Sequence, residues 1–532
     1  METVLVNGNV ITLNPLNPNA GAIAISDEKI IGVGSDQEIL SVADENAKVI
    51  DLDGRTVLPG FADSHVHLIE YGLVLSSVVL DVREARSIDE IKRMVRKKAI
   101  GQPKGSWIVG HGWDTTILAE GRPPNRWDLD EAAPNNPVMI TDMGGHLCSV
   151  NSLALKLANI GKDTELPLGG KIDKDTDTGE PTGVLREAAT VQVEELITYE
   201  DEDLIVGLRH ALDEAVEHGL TSIHCIVQTP QHIRVFQKVL MRDELPLRVY
   251  LMISSSLLPH LLSLGLHAGF GNPKLKIGAI KVMLDGSIEG RTAALTHPYE
   301  GEPDNFGIPW LNEEKLYDLV GKAHKAGFQL AIHAIGDRAI HMVLDSIERI
   351  LKEEPRADHR HRIEHASLLD DDSINRLRKL GMITSVQPIF IDPHIDWMLE
   401  PLGHKRATEL GERYRSLLDA GVKVAAGSDC PADSTMSPLL GVQSAVSRYG
   451  FALAERITVR EAISLYTINA AYACFEEKSR GSIEVGKLAD LVVLSDDPLA
   501  IPPDRIRDIK VDMTIADGKI VYTRDASSNP ES

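Results

Sequence analysis

The chain has 532 residues, 43% hydrophobic and 25% charged, which is the composition of a globular protein large enough for several domains or one barrel with appendages. A formal net charge of -24 argues against nucleic acid and anionic membranes as partners, because both are polyanions. Cys148, Cys225, Cys430 and Cys474 form no C-x-x-C pair, the N-terminus lacks a basic region followed by an apolar core, and no apolar run reaches membrane-spanning length. A cytoplasmic protein with reduced thiols is expected.

In chain order, residues 1–57 read as short strands broken by turns, with Asn7-Gly8 and Asp53-Gly54 as hairpin or tight-turn signals. Strand-like runs follow at 57–67, 220–226, 247–253, 277–284, 328–335, 361–367, 382–388 and 422–429. Helical patterns such as EEKLYDLVGKAHKAG and DDDSINRLRKLG lie between most of them, with glycine just past the helix end. Eight βα units predict an α/β fold, a (β/α)8 TIM barrel with its active site at the C-terminal ends of the strands. About 150 residues separate the first two strands, too many for a βα connection. An inserted subdomain is therefore expected at about 80–215, with PPNRWDLDEAAPNNP as its loop-rich part. LADLVVLSDDP and VDMTIADGKIVYT make the C-terminal end β-rich again. The expected domains are a barrel over 58–475 and one small β-sandwich made of 1–57 and 476–532; two separate β-appendages are the alternative.

LPGFADSHVHL, residues 58–68, closes the first strand with two histidines one residue apart. With 19 histidines in the chain, chance alone supplies roughly one His-x-His, so context must decide. Period-2 alternation puts His65 and His67 on one face of the strand, directed into the barrel. His333 lies near the end of strand five, His365 at the end of strand six, and Asp429 closes strand eight as GSD. Singly, each is more often structural; together at strand ends they form a nitrogen and oxygen donor set for zinc or a similar divalent ion. Lys281, within strand four, has no lone pair as an ammonium and can ligate only after reacting with carbon dioxide to a carbamate. The second His-x-His, His359 and His361 in DHRHRIEH, precedes its strand core among Asp and Arg and reads as a solvated loop.

With these motifs in place, the sequence resembles the amidohydrolase superfamily, and in particular its amidohydrolase-3 branch, which includes N-substituted formamide deformylases. The resemblance runs from LPGFADSHVHL through GHGWD, EGRPPNRWDLD and NSLAL to KVMLDGSIEGRTAAL, AIHAIGDRAI, RIEHASLL, SVQP, GSDCP and GSIEVGKLADLVVL. It implies that His65, His67 and Asp429 bind the more buried metal, Lys281 is the carboxylated bridge, and His333 and His365 hold a second metal. Members of the family use one ion or two.

The chemistry this implies is metal-assisted hydrolysis of a small-molecule amide, with Asp429 accepting a proton from water and passing it to the leaving nitrogen. Candidate substrate-binding residues are Trp113 and Asp114 in GHGWD, His146 in GGHLCSVNS, and Arg291 and Thr292 after strand four. Arg291 can grip a carboxylate or make a loop salt bridge, and Trp113 can line the pocket or fill the subdomain core. Cys430 has no role in such chemistry and reads as packing. A deaminase on the same barrel, or a metal-dependent binding or regulatory protein, are the competing readings. A homodimer is expected.

Overall fold

The computed structural model describes residues 2–165, 168–393 and 395–524. Its centre is an eight-stranded parallel sheet rolled into a barrel, with strands β1 Phe61–Val66, β2 Leu220–Val227, β3 Arg248–Ser254, β4 Leu275–Met283, β5 Gln329–Ala334, β6 Arg362–His365, β7 Ile383–Val386 and β8 Lys423–Ala426. Each strand pairs with its sequence neighbour, and all eight fall within or beside the runs expected from sequence. β2 is buried at all eight positions, as expected for a strand covered on both faces. The covering helices are amphipathic and explicitly capped. Helix Glu313–Lys325 begins at Asn312, which accepts from the Lys315 N–H, and helix Asp371–Leu380 ends at Gly381 with φ +68°.

Side chains complete the closure between β8 and β1. The buried Asp63 carboxylate accepts the His65 N–H at 2.9 Å and the Ser428 N–H at 3.1 Å, while the Asp429 N–H donates to the His65 carbonyl at 2.8 Å. The seam therefore fixes His65 and Asp429 relative to each other.

The chain leaves β1 through helix Leu68–Leu75 and returns to β2 through helix Asp201–Glu217. The two helices touch backbone to backbone: a Cβ on Gly72 would lie 2.2 Å from the Gly207 carbonyl oxygen. Between them stands a six-stranded mixed sheet with a core of its own, including Ile91, Trp113, Leu129 and Ile140. Half of PPNRWDLDEAAPNNP, expected to be loop, is helix Arg126–Ala132, because Asn125 and Asp128 form a reciprocal capping box.

Two further sheets flank the barrel. One has four strands, all from residues 2–51; the other has six, in which Thr56–Pro59 pairs with Leu491–Leu494, so residues from both ends of the chain share one sheet. No helix among the described residues is long and apolar enough to cross a membrane.

The solvated-loop expectation for His359 and His361 is corrected. Both are buried, facing the layer between sheet and helices rather than solvent. His361 Nδ1 accepts the Leu330 N–H at 3.0 Å, its Nε2 meets His324 Nδ1 at 2.8 Å, and His359 Nε2 donates to the Leu380 carbonyl at 2.8 Å. The charges that suggested solvent belong to Arg360, which pairs with Asp358 and Glu477. This second His-x-His is packing at the N-terminal end of the barrel.

Candidate metal centre

At the opposite, C-terminal end, β1, β4, β5, β6 and the turn after β8 deliver their polar side chains to one place. Ligand atoms of His65, His365 and Asp429 lie within 4.8 Å of one another. Asp429 Oδ1 is 3.3 Å from His65 Nε2 and 3.5 Å from His67 Nε2. The rings of His365 and His65 stand 4.8 Å apart, and those of His333 and His365 4.6 Å apart. His365 (φ +71°) and Asp429 (φ +60°) both adopt the left-handed conformation that costs a non-glycine residue, as strained residues at functional sites do.

On His65, His333 and His365 the ring nitrogen that faces away from the cluster is held. His65 Nδ1–H donates to Glu364 Oε2 at 2.5 Å, and His365 Nδ1–H donates to Gln387 Oε1 at 2.7 Å. His333 Nε2–H donates to the Gly286 carbonyl at 3.3 Å, with Asp285 Oδ1 at 3.5 Å. These contacts fix the tautomers, so each imidazole keeps its other nitrogen as a lone pair, as metal-binding histidines require. Burial keeps the rings of His67, His333 and His365 neutral. It draws His67 down to about 4 and His365 to about 3, against the pull of Asp429, and His333 well below its ordinary value. Burial alone would raise Asp429, but its contact with His65 outweighs that and holds the carboxylate ionised, well below its ordinary range. Neutral nitrogen donors around an ionised carboxylate fit a zinc-like divalent ion.

Lys281 is buried, with Nζ 3.4 Å from His65 Nε2, and no carboxylate among the described residues pairs with it within 4 Å. Burial lowers it to about 8, which leaves a fraction of free amine at neutral pH.

The other expected site residues divide. His146 stays at the site, its ring 5.2 Å from that of His333 and its Nδ1 3.0 Å from Glu187 Oε2. Burial pulls its pKa down, but Glu187 more than compensates and lifts it to about 9. Trp113 is in the core of the inserted subdomain and donates to the Ile140 carbonyl. Asp114 closes a local turn by accepting from Thr116. Arg291 takes the salt-bridge alternative, with Nη1 3.2 Å from Glu302 and donating to the Glu300 carbonyl. Thr292 is buried and accepts the Ser287 N–H within the loop.

Sequence reasoning missed the supporting residues Asp63, Asp285, Glu364, Gln387 and Glu187. Glu364 carries the most. Its two oxygens take His65 Nδ1 and the fully buried Arg362, whose Nη2 also donates to the Ser64 carbonyl. Glu364→Gln should weaken metal binding about 10–100-fold. It should also destabilise the fold by about 3–5 kcal/mol, since Arg362 loses its buried counter-charge. Chelator competition and urea denaturation measure the two effects; unchanged metal affinity would show that Glu364 serves packing alone.

Comparison with known proteins agrees with this architecture. The model of the amidohydrolase family matches residues 48–522. YtcJ of Bacillus subtilis is 31% identical over 98% of this chain and the whole of its own length. The N-substituted formamide deformylase of Arthrobacter pascens is 31% identical over 99% of both chains. Among solved structures, an uncharacterized metal-dependent hydrolase from Pyrococcus horikoshii OT3 superposes with a TM-score of 0.77 at 28% identity, covering 95% of this chain and 99% of its own. With strand ends, buried imidazoles and full-length relatives in agreement, the chain belongs to the amidohydrolase family.

Proposed function

We propose that the protein hydrolyses a non-peptide amide-type carbon–nitrogen bond in a small N-formyl or N-acyl amine, with Asp429 as general base and then general acid. The observation that carries this reading is the cluster of His65, His365 and Asp429, whose ligand atoms lie within 4.8 Å of one another while Glu364 and Gln387 hold the far nitrogens of the two rings. His65, His67 and Asp429 would hold one divalent ion, most simply zinc; His333 and His365 would hold a second. Such an ion supplies a water whose pKa is near neutrality and polarises a carbonyl oxygen. Asp429, ionised and beside His65 and His67, accepts the proton of the attacking water and delivers it to the nitrogen as the carbon–nitrogen bond breaks. Lys281 contributes as a carbamate: its amine lone pair forms a bond to the carbon of carbon dioxide, one proton leaves, and an anionic oxygen donor results. The full-length likeness to a formamide deformylase supports the N-formyl class.

Purified protein should contain one to two equivalents of zinc or a similar ion, measured by mass spectrometry. It should release amine together with formate, or another acid, from a panel of formamides and N-acyl amines. A folded preparation that neither contains metal nor takes it up on addition would sink this reading, and release of ammonia alone would favour a deaminase.

A further inference from the structure

GHGWD meets the barrel through its histidine rather than through Trp113 or Asp114. His111 lies on strand Ile108–Trp113 of the inserted sheet, opposite Thr141. A bulge at Gly112, with φ +107°, shifts the register between His111 and Trp113. Trp113 enters the core of the insertion, while His111 reaches Pro431 of the barrel. His111 is buried; its Nε2–H donates to the Pro431 carbonyl at 3.0 Å, and its Nδ1 accepts from the Thr141 hydroxyl at 2.9 Å. Burial draws the ring down to about 4, so it is neutral and the carbonyl decides which nitrogen carries the proton.

Arg83 acts beside it. Two bonds to Asp81 hold its guanidinium, 3.0 Å from Nε and 2.6 Å from Nη2, and Nη1 donates to the Asp433 carbonyl at 3.4 Å. Gly112 makes the room, since a Cβ there would lie 2.2 Å from Arg83 Cγ. Pro431 and Asp433 stand two and four residues past Asp429. The left-handed backbone of Asp429, at φ +60°, persists only where its surroundings over-determine it. The barrel holds the near side of this turn: the Asp429 N–H donates to the His65 carbonyl at 2.8 Å and the His67 N–H to the Cys430 carbonyl at 2.9 Å. The insertion holds the far side.

We propose that His111 is a positioning residue for Asp429, assisted by Arg83: the inserted subdomain clamps the turn that carries the general base and so sets where that carboxylate stands beside His65 and His67. This rests on the reading of Asp429 as general base given above. Strand Ile108–Trp113 is thereby tied to the chemistry of the barrel.

The test is turnover of the formamide panel by the full chain, with the visible spectrum of the cobalt(II) protein as a readout that needs no substrate. His111→Gln carries an N–H at the reach of Nε2, whereas His111→Asn carries one only at the reach of Nδ1. His111→Asn should lower kcat about 10–100-fold at near wild-type KM, the loss that a misplacement of about 1 Å produces. It should also alter the cobalt spectrum, and His111→Gln should restore most of both. In an Asp429→Asn background His111→Asn should cost no more than about twofold further, because the group it positions is already disabled. A folded His111→Asn with wild-type kcat and spectrum overturns the proposal. So does an equal loss in both backgrounds, the mark of general damage to the fold. Circular dichroism identifies a variant that fails to fold; if His111→Asn does, Arg83→Met takes its place, with the same readouts and the same deciding outcomes. If wild type turns over nothing in the panel, or Asp429→Asn keeps full turnover, the base reading fails and the cobalt spectrum alone decides whether His111 sets the position of Asp429. A wild type that takes up no cobalt removes both.

Discussion

Asp429→Asn is expected to lower turnover by about 10²–10⁴-fold, the range that general acid–base groups contribute, while the fold and at least one metal ion persist. The amide keeps the size of the carboxylate and its oxygen can still face His65 and His67, 3.3 and 3.5 Å away in the wild type. What it loses is the ability to take a proton from water and return it to the leaving nitrogen. The seam depends on the Asp429 backbone N–H and on Asp63, so barrel closure should survive. Thermal melting, metal content and turnover on a formamide substrate separate the effects. Near wild-type turnover would show that another group is the base.

Lys281→Ala should lose the second ion and most activity. A buried ammonium without a carboxylate partner is costly, and a carbamate removes that cost by converting the cation into an anionic oxygen donor. Among the described residues Lys281 has His65 Nε2 at 3.4 Å and no ion pair within 4 Å. Formate or acetate at high concentration should partly restore metal and turnover, by placing carboxylate oxygens in the vacated space. Full metal occupancy in Lys281→Ala without any added acid would rule out the bridge. A loss of stability at constant metal content would return Lys281 to a structural role.

The barrel was legible in the sequence because buried parallel strands read as short apolar runs between capped helices. β2 and β4 are examples, buried along almost their whole length. His65, His67, His333, His365 and Asp429 were legible because they end such runs. Their supports were not, because no local pattern links residues brought together only by folding: Glu364 lies 299 positions from the His65 it holds, and Glu187 lies 41 from His146. His359 and His361 misled for a related reason. Alternating residues in one short stretch face different environments, so the charge of Arg360 says nothing about the histidines on either side. Residue type left Arg291 open between an anion grip and a loop salt bridge; only folding brings Glu302 to 3.2 Å from its Nη1.

The contact between Gly72 and Gly207 bears on how this protein can change over evolutionary time. The two helices that carry the chain out of β1 and back to β2 lie as close as backbones allow, so the gap the insertion must bridge is set by the barrel. Sheet order, loop length and core of the insertion can then drift, lengthen or be exchanged while strand closure and the backbone bonds of the His65–Asp429 seam remain in place. A lineage can therefore try new substrates by rewriting one contiguous stretch of its gene, and a side chain at either glycine would remove that freedom by forcing the helices apart.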